Sequence, residues 1–350
     1  MLEEIFFWML ILVPVTVAAH FGRAPAGPMF FLAALAIVPL AKFIGEATEE
    51  LSVRVGSALG GLLNATFGNA TELIIGILAL KAGLLEVVKA SITGSIIGNL
   101  LLVLGSSIFL GGCKYQKQKF NKTAARTSSS TLLLATIALV IPAIFYQTAP
   151  KAGQSVIEKL SVFVAIFMLV AYFASLWFAL YTHKHLYTEE VGKYAEAKWS
   201  VRKCVVILLL ATVAVAWMSA ILVGSIEPVV KSFGWTELFI GVIFVAIIGN
   251  VAEHTSAVTM ALKNKMDLAL QISIGSTTQI AMFVAPILIL ASLFCREPMS
   301  LVFNIFELAA IILSVMIVGL ITEDGESNWF EGLQLLMAYA IMAVAFFFHP

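Results

Sequence analysis

Two acidic residues stand apart from the others in this chain of 350 residues. Most Asp and Glu residues fall in polar stretches or at the ends of apolar ones, but Glu72 and Glu253 fall deep inside apolar segments. Glu253 precedes Lys263 by ten residues, about 15 Å along a helix. An ionised carboxylate at that depth in a bilayer is costly unless it is compensated, so such acids mark ion or proton pathways.

These two acids can become neutral in two ways. Each can bind a proton, which burial and a neighbouring like charge both favour, or the pair can hold one divalent cation. Both states use the same oxygens and therefore exclude each other. The pattern predicts a site that exchanges two protons for one divalent cation. Pairing with a buried base is the alternative, but no Lys or Arg lies in the middle of an apolar segment.

An asparagine precedes each acid by three positions. Asn69 and Glu72 are therefore predicted to share a helix face, and Asn250 and Glu253 repeat the relation. Amide and carboxylate oxygens suit Ca²⁺, which takes six to eight oxygen ligands, whereas Mg²⁺ resists losing its waters. Zn²⁺ prefers His or Cys ligands, and only His254 is near. The asparagines can alternatively bridge helices by hydrogen bonds.

A glycine precedes each asparagine. Gly68 and Gly249 are weak helix formers, so the helix can unwind there and turn backbone carbonyls toward an ion. Close packing of helices is the alternative role for both glycines.

Polar residues also recur in the next apolar segment of each half. Ser95 and Asn99 are four apart, and Ser276 and Gln279 are three apart, so each pair can share one helix face. They are predicted to support the site or to line a proton path, with helix contact as the alternative. His254 points to a different face from its neighbouring acid. It is a candidate proton relay or else a satisfied interior histidine.

The composition places these residues in a membrane. Hydrophobic residues make up 61% and charged residues 12% of the chain, against about 25% charged in soluble domains. The apolar runs reach the length of about 20 residues that a bilayer requires, without the alternation of barrel strands. The lipid bilayer is therefore the predicted partner, and the zero net charge argues against nucleic acid. The three cysteines form neither a metal motif nor a disulfide framework.

The runs predict an all-α polytopic membrane protein with eleven transmembrane helices. The first follows two acids without a basic region, so it is predicted to be a membrane helix and not a removed signal. The predicted helices cover residues 4–20, 28–45, 52–80, 86–111, 127–147, 155–181, 202–225, 235–262, 267–294, 299–321 and 329–348.

An internal repeat organises these helices. Gly68–Glu72 recurs as Gly249–Glu253 and Gly94-Ser95 recurs as Gly275-Ser276, both 181 positions later. Five helices in each half force opposite insertion, which is an inverted-topology repeat. The predicted divisions are an N-terminal helix (1–25), a first repeat (26–182), a charged cytoplasmic linker (183–200) that can hold a short surface helix, and a second repeat (201–350).

The basic residues predict the orientation. With eleven spans, two thirds of the 21 Lys and Arg residues fall on the N-terminal side, so the N-terminus is predicted to be cytoplasmic and the C-terminus external. Glu46, Glu49 and Glu50 would then lie at the cytoplasmic mouth, either recruiting cations or forming a solvated helix end. Glu307 is predicted to reach toward the membrane interface.

At these residues the sequence resembles the calcium/cation–proton exchanger (CAX) family of the calcium/cation antiporter superfamily. The matching motifs are Gly68–Glu72, Gly249–His254, Gly94–Asn99, Gly275–Gln279 and the acidic stretch from Glu46 to Leu51. The resemblance covers essentially the whole chain. It implies alternating access in a prokaryotic cell membrane, with Ca²⁺ moving outward against H⁺ moving inward at Glu72 and Glu253. No cofactor is expected beyond these transported ions.

Several alternatives stay open at this point. A sodium/calcium exchanger is one alternative. Such exchangers of the superfamily usually carry a proline beside the acid, and its absence at Thr71 and Ala252 favours the proton-coupled branch. Exchange of another divalent cation such as Mn²⁺ is a second alternative, and a cation channel is a more distant one. An intramembrane enzyme would need a nucleophile–base pair or a multi-histidine motif, neither of which the apolar segments contain. Assembly into a homo-oligomer is compatible with the sequence.

Overall fold

A computed structural model of the chain describes residues 2–55, 60, 63–64, 66–151, 153–183 and 198–349. These residues are mostly helical, because a helix satisfies its own backbone hydrogen bonds where no water is present. The helices are α1 (Leu2–Met9), α2 (Leu12–Phe21), α3 (Ala26–Val55), α4 (Ala70–Lys81), α5 (Leu85–Lys114), α6 (Lys122–Thr148), α7 (Gln154–Thr182), α8 (Val201–Phe233), α9 (Glu237–Gly249), α10 (Val251–Leu262), α11 (Met266–Ser292), α12 (Ile305–Ile321) and α13 (Trp329–Phe348). Two short strands, β1 (Gln118–Lys119) and β2 (Glu326–Ser327), pair in antiparallel fashion.

The helices confirm an all-α polytopic membrane protein. Among the described residues, eight helical segments are long and apolar enough to cross a membrane, and α9 with α10 forms a ninth that is bent by 59°. Helix α12 is apolar but shorter, and α4 is preceded by helical residues at 60, 63–64 and 66–67. This pattern is compatible with the predicted eleven spans.

Contacts between loops sort the ends of the helices onto two sides. On one side, strand pairing joins the loop before α6 to the loop before α13, and Gln118 Nε2 donates to the carbonyl of Ala261 at 2.8 Å. On the other side, the rings of Phe31, Phe233 and Trp235 pack together. Aromatic residues of this kind are enriched at membrane–water interfaces. The loops at the two ends of the bent pair α9 and α10 thus belong to different groups of contacts, as a crossing pair requires.

Two central helices cross closely where the site forms. A Cβ atom built on Gly94 of α5 would overlap the backbone of Val242 in α9, and one on Gly241 of α9 would lie 2.5 Å from the Cβ of Ala90. Small residues at such crossings let helix backbones approach. The crossing brings the polar residues of α5 against the break between α9 and α10.

Local features recur between the two halves. Helices α4 and α10 each contain 12 residues and start 181 positions apart. A left-handed residue follows two positions after the end of each, Gly83 (φ 79°) and Asn264 (φ 59°). Each following helix contains a π-helical turn, Gly98–Val103 in α5 and Ile280–Val284 in α11. The predicted repeat boundaries stay predictions, and most of the predicted linker, residues 184–197 with its short helix, lies outside the described residues.

The second predicted helix is longer than expected. It continues to Val55, so Glu46, Glu49 and Glu50 lie within the last turns of α3 and not beyond its end. Lys42 and Glu46 form an ion pair of 3.1 Å at i and i+4, which supports a continuing helix. Charged residues therefore did not mark the end of this helix.

Candidate cation-binding site

The two acids occupy equivalent positions at the starts of two half-helices. Asn69 and Asn250 immediately precede α4 and α10 with non-helical dihedral angles (φ −110°, ψ 26° and φ −94°, ψ 14°), and Glu72 and Glu253 lie in the first turns. Asn69 is the N-cap of α4 and its carbonyl accepts from the Leu73 N–H at 3.1 Å, so the shared face of Asn69 and Glu72 stays a prediction. The N-terminus of a helix carries partial positive charge, which stabilises a carboxylate in its first turn.

Three of the four carboxylate oxygens of these acids are buried and receive no hydrogen bond from the described residues. None of the described residues donates to Glu72 Oε1, Glu72 Oε2 or Glu253 Oε2, although all three atoms are buried. The Glu72 side chain as a whole is half-buried, so only its apolar part remains accessible. Buried carboxylates without hydrogen-bond donors inside a membrane call for a cation or for protons.

Glu72 lies against the motif of the other half. A Cβ atom built on Gly249 would lie 3.1 Å from Glu72 Cγ and 3.2 Å from Glu72 Oε1. Only a glycine leaves room for the Glu72 side chain in its present place. The equivalent Gly68 has a different environment, because a Cβ atom there would lie 2.5 Å from the carbonyl oxygen of Asn64 in the same segment.

A chain of hydrogen bonds fixes the orientation of two amides. Asn250 Nδ2 donates to the Ala246 carbonyl at 2.7 Å and to Ser95 Oγ at 2.9 Å. A carbonyl oxygen only accepts, so Asn250 Oδ1 must face the other way, where it accepts from Asn99 Nδ2 at 3.0 Å. Asn99 Nδ2 also donates to Ser276 Oγ at 3.0 Å. These bonds use both polar atoms of Asn250 and turn Asn99 Oδ1 away, buried and without a donor among the described residues.

The amide of Asn69 is held by the other half in the same manner. Its Nδ2 donates to Gln279 Oε1 at 2.5 Å, and its Oδ1 is buried without a donor in the described part of the chain. Two amide oxygens and three carboxylate oxygens thus lack partners around one junction. A buried group without a hydrogen bond typically costs about 1–3 kcal/mol. Such a concentration of oxygen acceptors fits a hard cation such as Ca²⁺.

Further polar groups border the acids. A small cavity next to Glu72 is lined by Ser91 and Ser95 of α5 and by Val284 and Leu288 of α11. His254 Nε2 is buried without a partner among the described residues. The described residues contain no group of three or more His, Cys, Asp or Glu side chains that could hold a metal ion. Any cation here would depend on the two acids and the amides.

The predicted mouth residues lie outside this cluster. Glu46 pairs with Lys42, Glu50 Oε2 accepts from the backbone N–H of Trp199 at 3.0 Å, and Glu49 is exposed. Helix α3 still passes the site, because a Cβ atom on Gly45 would lie 3.6 Å from the Cβ of Ala252.

Glu307 provides a contrast with Glu72 and Glu253. It lies in the first turn of α12 and is only 1% exposed. Its Oε1 accepts from Thr93 Oγ1 at 2.9 Å and its Oε2 accepts from the Asn304 N–H at 2.9 Å. Both oxygens are therefore satisfied by the protein, unlike those of Glu72. A buried acid in this chain is not by itself an ion site.

Comparison with known proteins gives matches over nearly the full length. The sodium/calcium exchanger protein family matches residues 26–181 and 203–348. The chain is 47% identical over 365 residues to the Ca(2+)/H(+) antiporter of Synechocystis sp., covering 99% of this chain and 98% of the relative. It is 47% identical over 352 residues to the Ca(2+)/H(+) antiporter ChaA of Bacillus subtilis, covering 99% of each.

Solved structures agree with this similarity. Native YfkE is 46% identical and superimposes with a TM-score of 0.86, covering 98% of this chain and 100% of YfkE. The H+/Ca2+ exchanger CAX is similar in fold alone, with 16% identity and a TM-score of 0.75 over 99% of this chain and 92% of that one.

Proposed function

Because this chain belongs to the sodium/calcium exchanger protein family, we propose that it is a calcium/proton antiporter. It exports Ca²⁺ from the cytoplasm in exchange for H⁺. The Ca(2+)/H(+) antiporters among its relatives support exchange of these two ions. The observation that carries the proposal is the set of buried carboxylate oxygens of Glu72 and Glu253 that receive no hydrogen bond from the described residues.

Charge balance explains why the two ions compete. One Ca²⁺ neutralises two carboxylates, and so do two protons. An empty pair would leave two uncompensated charges inside the membrane, a state that is strongly disfavoured. The site therefore changes sides mainly when it is filled, by one ion type or the other. This property is the basis of obligatory exchange.

The ligands divide into two groups. Glu72 and Glu253 supply charge, and the unpartnered Oδ1 atoms of Asn69 and Asn99 supply neutral oxygens. Asn250, Ser95, Ser276 and Gln279 hold those amides in place through the hydrogen bonds described above. The Nε2 of His254 has no hydrogen-bond partner among the described residues, so His254 is suited to pass a proton to or from the pair.

In the proposed orientation the protein spans a cell membrane with its N-terminus in the cytoplasm and its C-terminus outside the cell. Support comes from the excess of Lys and Arg on the N-terminal side. Loops that this orientation places in the cytoplasm contact one another, as in the ion pair of Lys117 and Glu326 at 2.7 Å.

The test is Ca²⁺ uptake into proteoliposomes driven by an imposed proton gradient without Na⁺. Uptake should collapse with a protonophore and in Glu72→Gln and Glu253→Gln. Glu307→Gln is the matched control, because it also neutralises a buried acid in a membrane helix but lies in a capping contact that glutamine can retain. It should transport normally.

Two results would contradict the proposal. Uptake that survives Glu72→Gln would place the ion elsewhere. Uptake that requires a Na⁺ gradient and ignores the proton gradient would favour a sodium/calcium exchanger on the same fold.

A further inference from the structure

A groove that takes no part in the cation site lies between α2, the start of α3 and the middle of α8. It encloses about 370 Å³, within the range of roughly 300–1,000 Å³ typical of small-molecule sites. Arg23 and His20 line its rim, and Met29, Ala220, Ile221 and Gly224 line its walls. A Cβ atom built on Gly224 would meet nothing within 4 Å, so the groove is open at that point.

The rim of the groove carries the positive charge of Arg23, which none of the described lining residues offsets. Arg23 and His20 are both exposed, and no acidic residue is among the described residues that line the groove. Glu227, one turn beyond Gly224 on α8, pairs with Lys231 at 2.5 Å. Arg23 takes part in none of the ion pairs found in the described part of the chain.

Arg23 also occupies a backbone position that favours glycine. Its φ is 56°, and the N–H of Ala24 donates to the carbonyl of Ala19 at 3.0 Å while the N–H of Arg23 donates to that of His20 at 3.1 Å. This is the Schellman arrangement that ends many helices, with the left-handed residue usually a glycine. Strained residues of this kind cluster at binding sites, where the side chain has a use.

The depth of the groove matches the boundary between lipid headgroups and acyl chains. A Cβ atom on Gly27 would lie 3.3 Å from the ring of Phe233, which stacks on Trp235 at 5.0 Å. Such aromatic clusters mark the membrane–water interface. The floor of the groove, Met29 and Ile221, is buried and apolar. The cationic rim thus lies at headgroup level above apolar walls.

We propose that this groove binds an anionic phospholipid. The lipid phosphate contacts Arg23 and His20, and the glycerol and upper acyl chain lie along Ala220 and Gly224. A bidentate guanidinium contact suits phosphate oxygens, and the apolar walls suit a lipid rather than a free anion. The bound lipid would join α2, the helix outside the predicted repeat, to α8.

Native mass spectrometry of the purified full chain tests this assignment. The protein in detergent is titrated with dioleoylphosphatidylglycerol or dioleoylphosphatidylcholine, and bound lipids are counted. The wild type should bind one phosphatidylglycerol more tightly than phosphatidylcholine. Arg23→Gly should weaken that binding about fivefold, the effect of one basic residue near an anionic surface. Its melting temperature should not fall, because glycine suits the left-handed position.

A second variant separates the groove from its charge. Gly224→Leu fills the groove, improves helix propensity and keeps both Arg23 and His20, and it should lose phosphatidylglycerol as well. Lys151→Gln is the matched control, because Lys151 is an exposed cation of a loop predicted on the same side, and it should bind as the wild type does. Equal binding of the two lipids, wild-type binding by Arg23→Gly or Gly224→Leu, or displacement of the lipid by inorganic phosphate would overturn the proposal.

Discussion

Replacing Gly249 by alanine tests whether contact between the two halves positions Glu72. The new Cβ atom would lie 3.1 Å from Glu72 Cγ and 3.2 Å from both Cδ and Oε1. Carbon atoms in favourable contact are about 3.5–4.0 Å apart. The Glu72 carboxylate or the α9 backbone must therefore move by roughly 0.3–0.5 Å to relieve the contact.

A shift of this size matters for binding but not for folding. Binding groups must be held within about 0.5 Å of their productive positions, so we expect Ca²⁺ affinity to fall about tenfold, or about 1.4 kcal/mol. The fold should tolerate the change, because Gly249 has no left-handed φ and alanine is the better helix former by about 1 kcal/mol. Affinity should fall while thermal stability is kept.

The assay is the Ca²⁺ dependence of proton-driven uptake in proteoliposomes, together with the melting temperature of the purified protein. We expect the KM to rise about tenfold without a matching fall in melting temperature. Gly275→Ala is the matched control, because it also adds one methyl group in the site region of a membrane helix, where a Cβ atom would meet nothing within 4 Å.

An unchanged KM in Gly249→Ala would refute the reasoning, since the close contact would then have no bearing on the position of Glu72. Equal increases in KM for Gly249→Ala and Gly275→Ala would refute it too. That result would trace the loss to helix rigidity and not to the approach of the two halves.

Three further predictions concern an amide of the site, the acid pair itself and the buried acid Glu307. Asn250→Asp replaces the Nδ2 donor by an oxygen that faces the Ala246 carbonyl, now bonded at 2.7 Å, while Oδ1 can still accept from Asn99. The change should lower the unfolding free energy by about 1–3 kcal/mol, measured by thermal unfolding. Two protons that compete with Ca²⁺ for one carboxylate pair should raise the apparent Ca²⁺ dissociation constant as pH falls, by up to about a hundredfold per pH unit. Binding titrations at several pH values check this prediction. A limit of about tenfold per pH unit would indicate one competing proton. Glu307→Ala should cost about 1–2 kcal/mol of unfolding free energy through its lost cap, whereas Glu307→Gln should melt close to the wild type.

The sequence predicted the family and the symmetry because both depend on residue type and spacing alone. Two acids inside apolar runs, repeated 181 positions apart, are visible without coordinates, and the predicted family is confirmed by matches to residues 26–181 and 203–348. The breaks after Gly68 and Gly249 were anticipated from helix propensity, a local property.

The direction in which each amide faces could not be predicted. Asn69 and Asn250 occupy equivalent positions of the repeated motif, yet only Asn69 keeps an oxygen without a donor among the described residues. The difference depends on the carbonyl of Ala246 and on contacts between residues about 150 positions apart. Glu307 shows the same limit, because its distance from a helix end does not reveal that Thr93 of another helix faces it.

Nearly every polar contact of the site joins one half of the chain to the other. Asn69 depends on Gln279, Asn99 depends on Asn250, and Asn250 depends on Ser95. Any motion that slides one half past the other must therefore break the bonds that orient the ligand oxygens. Conversely, an ion held by both acids ties the halves together. Under the proposed function, the affinity for the ion therefore depends on the relative position of the two halves. A variant that weakens the hydrogen bonds of the amides should change both the affinity and that position.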